Sequence, residues 1–142
     1  MGYHQGRLID HVHLRVRDLD ASKRFYRAAF EALDLLDGFG EGDGYFYVDE
    51  LYVDRADKRA SLVHLAFQAK DKAQVHRFYE AALAAGGRDN GGPGPRNYHP
   101  TYYGAFVLDP DGNNIEAVWH GDTSRSAESV FVERKPLTQA NG

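Results

Sequence analysis

Hydrophobic and polar positions alternate strictly over residues 9–16. Val12, Leu14 and Val16 fall on one face, and His11, His13, Arg15 and Arg17 on the other. That period of two is the period of a strand with one buried face. The period then changes. Behind Asp18 or Asp20, either of which suits a helix cap, Ala21, Phe25, Ala28, Ala29, Ala32 and Leu33 follow helical spacing. Gly38, Gly40, Gly42 and Gly44 predict a loop. The aromatic and β-branched run 45–53 predicts one long strand or a hairpin. A charged connector follows over 54–60.

The same order of patterns begins again at residue 62. Leu65, Phe67 and Ala69 oppose His64, Ala66 and Gln68, a second alternating strand. Helical spacing runs over 71–85 and meets a stop at Gly86-Gly87. Residues 88–97 hold Gly91, Gly92, Pro93, Gly94 and Pro95 and are excluded from helix. A strand over 102–108 and a return strand over 113–119 flank Asp109-Pro110-Asp111-Gly112. There the proline presets φ and the glycine accepts a positive one. Alternation puts Asn114, Glu116, Val118 and His120 on the less apolar face of the return strand. Residues 121–142 are polar apart from Val130-Phe131-Val132 and read as a tail that wraps or frays.

The two halves are copies at an offset of 53 residues. His11 falls on His64, Asp18 on Asp71, Arg24-Phe25-Tyr26 on Arg77-Phe78-Tyr79, Ala28-Ala29 on Ala81-Ala82, and Ala32 on Ala85. A repeat of this length is one supersecondary unit used twice. Phe25, Tyr26, Phe78 and Tyr79 are therefore expected between helix and sheet, with the tyrosine hydroxyls reaching partners.

Composition narrows the function classes. The 142 residues suit one domain, with module one at about 8–56, module two at about 62–120 and a tail at 121–142. A net charge of −4 provides no basic footprint for nucleic acid. No stretch approaches the roughly 20 apolar residues of a membrane span, and residues 1–7 carry no apolar leader, so a cytoplasmic location is the expectation. The absence of cysteine removes disulfides, thiolate metal sites and cysteine nucleophiles.

Candidate chemistry rests on the histidines. His11 and His64 open equivalent strands on the face away from the helix, and Glu116 lies on the corresponding face of the last strand. Two imidazoles and one carboxylate suit a divalent first-row metal, with positions left open for water or substrate. The competing reading is a polar strand face turned to solvent.

A resemblance adds to this. His11-Val-His-Leu-Arg-Val-Arg-Asp-Leu-Asp-Ala-Ser-Lys-Arg-Phe-Tyr26, with Val63-His64-Leu-Ala-Phe67 and Asp109-Pro-Asp-Gly-Asn-Asn-Ile-Glu116, resembles the vicinal oxygen chelate superfamily. That group includes glyoxalase I, extradiol dioxygenases and bleomycin resistance proteins, and the resemblance covers roughly residues 8–120. It implies an α+β fold of two βαβββ modules in a half-open mixed β-barrel. It also implies a homodimer, and a divalent ion (Fe, Mn, Ni or Zn) held by His11, His64 and Glu116. Glyoxalase I-type sites take a fourth ligand, a glutamate, from the last strand of the first module. Glu50 is the candidate as the counterpart of Glu116. If Tyr45, Phe46 or Tyr47 takes that place instead, three ligands remain, and the short first module favours three.

The stretch Asn97-Tyr-His99-Pro-Thr-Tyr-Tyr-Gly-Ala-Phe106, running on to Glu116, resembles the extradiol dioxygenase signature in spacing. It implies that His99 is an acid/base group near the metal. The family's tyrosine is replaced by Phe106, and Tyr102 or Tyr103 is left to substitute for it; Tyr103 is taken with His99 as catalytic. His13, Arg96, Tyr98, Tyr102 and His120 are the candidates for binding substrate, while His4 and His76 read as solvated. The implied function is a metal-dependent enzyme acting on a small oxygen-bearing substrate. It would be a glyoxalase I-like lyase or isomerase, or an extradiol dioxygenase-like enzyme. The alternative is a metal-free, bleomycin resistance-like protein that binds a small molecule.

Overall fold

The computed structural model describes residues 2–6 and 8–138. After β1 (Gly2–Gln5), the first module runs β2 (Val12–Val16), α1 (Leu19–Ala32), β3 (Phe39–Gly42), β4 (Tyr45–Val48) and β5 (Leu51–Arg55). The second runs β6 (His64–Gln68), α2 (Lys72–Ala84), the two-residue strands β7 (Arg88–Asp89) and β8 (Gly94–Pro95), β9 (Tyr103–Leu108) and β10 (Asn114–Trp119). β11 (Val130–Glu133) returns to pair antiparallel with β1. The architecture is α+β, and none of the described helices is long and apolar enough to cross a membrane.

The two main sheets share one topology. Their orders are β2-β5-β4-β3 and β6-β10-β9-β7, with β8 also on β9. In each, the first strand pairs parallel with the last and the remaining pairs are antiparallel. The repeat in the sequence is thus a repeat of βαβββ units.

Local chemistry explains the elements. Asp18 caps α1 by accepting from the Ala21 amide at 3.0 Å, and Asp71 caps α2 by accepting from Gln74 at 2.7 Å. Gly86, at φ 101°, ends α2, and Gly112, at φ 92°, closes the turn between β9 and β10. The apolar faces of both sheets and both helices share one core. Leu14, Val16, Phe25, Tyr26, Ala29, Phe46, Val53, Val75, Phe78, Val107 and Ile115 are all fully buried there. Phe30 of α1 meets Phe67 of β6 edge to face at 4.8 Å, which joins the modules. A polar tie reinforces the join. The Tyr26 hydroxyl donates to Asp109 Oδ2 at 2.5 Å, while Asp109 also receives the amides of Asp111 and Asn113. Tyr79 reaches Asp89 at 3.0 Å, so both helix tyrosines find partners.

One expectation changes, and two pairs of alternatives are decided. The glycine-rich segment contains a strand, β3, rather than only a loop. Its glycines serve the neighbouring strand: a Cβ on Gly40 would lie 2.3 Å from the Tyr47 ring, and one on Gly42 2.5 Å from Tyr45. Bare backbone lets those rings lie over the strand. The run 45–53 is the hairpin of the two alternatives, turning at Asp49 with φ 46°. Of the two readings of the tail, wrapping holds over 130–133, where β1 supplies it with a ladder partner. Residues 139–142 of that tail lie outside the described residues.

Candidate active site

His64 opens β6, and Glu116 lies in the middle of β10. The parallel ladder pairs His64 with Asn114 and Ala66 with Glu116, so Glu116 stands two residues along from the histidine's partner, on the same face. Its Oε1 lies 2.8 Å from His64 Nε2. The carboxylate is 1% exposed and the imidazole 53% exposed, so the pair opens outward through the histidine.

The second carboxylate oxygen accepts from the Tyr102 hydroxyl. A glycine makes this meeting possible. Gly104 faces Val118 across the ladder, and a Cβ there would lie 3.0 Å from Glu116 Oε2 and 3.3 Å from Tyr102 Cε1. Burial, and then the hydrogen bond to Glu116, pushes the Tyr102 phenol above its usual range. The hydroxyl therefore stays protonated and remains a donor at neutral pH.

A pair of imidazoles stands beside this contact. His99 Nε2 and His120 Nδ1 are 2.8 Å apart, with the rings stacked at 5.1 Å. Both lie edge-on to Tyr102, at 5.4 and 5.2 Å. Tyr98 completes the group against Tyr102 at 4.8 Å and is itself 67% exposed. The Phe106 ring faces His64 at 6.0 Å. Glu116, His64, Tyr102, His99, His120 and Tyr98 thus form one surface on the second module.

His11 and His13 belong to the first module's surface. His11 Nδ1 is held by Asp10 and His13 Nε2 by Asp54, each at 2.7 Å. With Tyr47, Asp49, Glu50 and Tyr52 they line a cavity of about 420 Å³. Burial raises the carboxyls of Asp49 and Glu50 above the usual range. Among the described residues, no three histidine, aspartate or glutamate side chains gather to hold a metal ion. Within one chain, therefore, His11 does not join His64 and Glu116. Each sheet turns its apolar face to the shared core and its polar face away from it, so equivalent residues present equivalent surfaces without meeting.

Two assignments are corrected. Tyr103 is not with His99. It shares the parity of Ala105 and Val107, whose side chains are buried in the core, and its hydroxyl meets His76 of α2 at 2.7 Å. Lys72 of the same helix covers its ring at 5.1 Å. His76 is exposed, as expected, and makes its contact with Tyr103 at the surface. His4 is half-buried, and its Nδ1 meets Ser129 at 2.5 Å. Arg96 is not a free binding group. Its guanidinium donates to the carbonyls of Gly92, Gly94 and Pro95 and lies over Phe106 at 5.2 Å, so it staples the glycine-rich loop. Sequence reading missed Gly104, whose signal was its parity with Phe106 and Tyr102 on the strand leading to Glu116.

The donor set suits a divalent ion. An imidazole nitrogen and a carboxylate oxygen 2.8 Å apart can both reach one ion at about 2.0–2.2 Å. The Tyr102 hydrogen bond orients the carboxylate as an outer partner does in metal sites.

Paired βαβββ units with a histidine–glutamate pair on the polar face define a class of protein, and the comparisons place the chain in it. The profile of the Glyoxalase/Bleomycin resistance protein/Dioxygenase superfamily matches residues 8–117. The chain belongs to that superfamily. It is 30% identical over 147 aligned positions to "Probable lactoylglutathione lyase, chloroplastic" of Arabidopsis thaliana, covering 92% of this chain and 41% of that protein. A Brassica oleracea relative, provisionally named a lactoylglutathione lyase, is 33% identical, with 92% of this chain and 50% of the relative covered. The chain thus spans half or less of the curated relatives it matches. Among solved structures, a glyoxalase/bleomycin resistance protein from Albidiferax ferrireducens superposes with a TM-score of 0.68 at 27% identity. That match covers 79% of this chain and 98% of the other. A glyoxalase-related enzyme from Fulvimarina pelagi shares the fold at a TM-score of 0.68 and 18% identity, covering 91% and 99%.

Proposed function

We propose that this chain is a metal-dependent enzyme acting on a small oxygen-bearing substrate, with a glyoxalase I-like lyase or isomerase reaction as the first reading. The observation that carries the proposal is the contact between His64 and Glu116, with Tyr102 holding the carboxylate's second oxygen. A buried carboxylate shared between an imidazole and a phenol, on an open polar face, has the chemistry of a prepared ligand. The similarity to lactoylglutathione lyases favours this reaction over ring opening. Phe106 also lacks the hydroxyl that the dioxygenase pattern carries at its position.

The site is completed by a second copy. A twofold arrangement that lays the first sheet of one chain over the second sheet of its partner brings the partner's His11 to His64 and Glu116, and it makes two identical sites. His11 and His64 are both exposed in the single chain, as this arrangement requires. A bound ion there supplies Lewis-acid polarisation of substrate oxygens. The residues of the chain do the rest. Glu116 and His64 anchor, Tyr102 keeps the carboxylate oriented, and the His99–His120 pair takes or returns a proton.

Three measurements on the purified chain test the proposal: elemental analysis, mass in solution, and lyase activity toward lactoylglutathione followed through its thioester absorbance. The expected result is a dimer with one divalent ion per site, and metal content lost in His64→Ala and Glu116→Gln. A wild-type chain that takes up no divalent ion overturns the metal reading and leaves the metal-free binding protein in its place.

A further inference from the structure

The ladder registers of the two modules assign a counterpart to Glu116, and it is not a glutamate. The repeat lays Val12 on Leu65 and His13 on Ala66. In the first module Val12 pairs with Leu51 and His13 with Tyr52. In the second, Leu65 pairs with Ile115 and Ala66 with Glu116. Tyr52 therefore occupies in the first module the place that Glu116 occupies in the second. Glu50, one step before Leu51, takes the place of Asn114.

The ring of Tyr52 is braced in that position. His13 meets it edge-on at 5.2 Å, and Tyr45 stacks on it at 5.4 Å with the planes 19° apart. Tyr45 in turn lies over Gly42, where no Cβ obstructs it. Tyr52 lines the same cavity as His11, the residue that repeats His64. The first module thus offers an imidazole and a phenol where the second offers an imidazole and a carboxylate.

We propose that Tyr52 is the fourth protein donor of the metal site, so that the completed set is two imidazoles, one carboxylate and one phenol oxygen. The inference rests on the metal reading above and goes beyond it, because it names the donor that replaces a second glutamate. An anionic oxygen of this kind favours a hard, strongly Lewis-acidic ion.

Ferric iron, delivered to the full chain as its nitrilotriacetate chelate, reads the donor directly. Phenolate bound to ferric iron absorbs in the visible, and imidazole and carboxylate do not. Wild-type protein should take up iron and show the band. Tyr52→Phe should keep iron and lose the band, as should Tyr52→His, which restores a nitrogen donor if the first variant folds poorly. Tyr102→Phe should bind iron roughly 10–100-fold more weakly, having lost the partner that orients Glu116, yet show the band at saturating iron. Iron uptake without a band, or a band that survives in Tyr52→Phe, overturns the role of Tyr52 and leaves the metal reading standing. Wild-type protein that takes up neither ferric iron nor a divalent ion overturns both.

Discussion

His64 and Glu116 touch diagonally across a parallel ladder: the histidine's backbone partner is Asn114, and its side-chain partner, at 2.8 Å, lies two residues further on. The carboxylate reaches back toward the strand start and leaves its second oxygen for Tyr102. Three elements, β6, β10 and the segment before β9, therefore converge on one buried carboxylate. The predictions below perturb this convergence and the tie between the modules.

Gly104→Ala tests the space in which the carboxylate and the phenol meet. The added methyl would sit 3.0 Å from Glu116 Oε2, so either Glu116 or Tyr102 must move. Overpacking of this kind costs about 1–3 kcal/mol. Denaturant midpoints should fall accordingly, and metal affinity should drop roughly 10–100-fold, the cost of losing an outer partner. Unchanged affinity measured by competitive chelation would show that the hydrogen bond does not orient the ligand.

His99→Ala should keep its metal and lose turnover. His99 touches His120 and the edge of Tyr102, not Glu116. Removing a general acid or base costs typically 10²–10⁴-fold in rate. Full turnover in the variant would make the residue a bystander, and loss of metal would make it a ligand.

Glu50→Gln should leave metal content unchanged, because Glu50 stands at the register position of Asn114 rather than that of Glu116. It should also alter the dependence of stability on pH. Burial raises the Glu50 carboxyl in the folded protein. The folded state therefore holds that proton to higher pH than the unfolded chain does, and stability falls as pH rises through the interval between the two values. The neutral glutamine escapes this. Urea midpoints of the variant should exceed wild type at neutral pH and converge with it as pH drops below the ordinary carboxylate range.

Tyr26→Phe tests the polar tie between the modules. It removes the hydroxyl that donates to the buried Asp109 and leaves a carboxylate oxygen without that partner. The expected cost is about 1–3 kcal/mol. For a domain of this size that lowers Tm by roughly 2–4 °C per kcal/mol. An unaltered melting curve would show that Asp109 is satisfied by Asn113 and the turn amides alone.

Much of the architecture was legible because periodicity reports burial directly. Alternation marked β2, β6 and β10, helical spacing marked α1 and α2, and Asp18 and Asp71 cap as their positions suggest. The repeat marked the two modules before any contact was known. Strand β3 was hidden because its glycines carry no pattern, and they read as strand only once Tyr45 and Tyr47 are seen lying over them. The pairing of β1 with β11 joins the two ends of the chain, a contact that no local signal announces. Tyr103 was misplaced although its parity with Ala105 and Val107 was available, since two adjacent tyrosines invite either reading.

By itself, the sequence determined which residues share a strand face, because side chains alternate with a period of two whatever the strand packs against. That placed His64 and Glu116 on the polar faces of their strands, and the same alternation placed His11 and His13 on theirs. Only the tertiary structure decided which faces meet. Register between distant strands set Glu116 beside His64, put Tyr52 rather than Glu50 at the matching place in the first module, and joined both modules through one core. Those choices depend on packing between segments tens of residues apart, where apolar burial selects the arrangement and the polar faces follow from it.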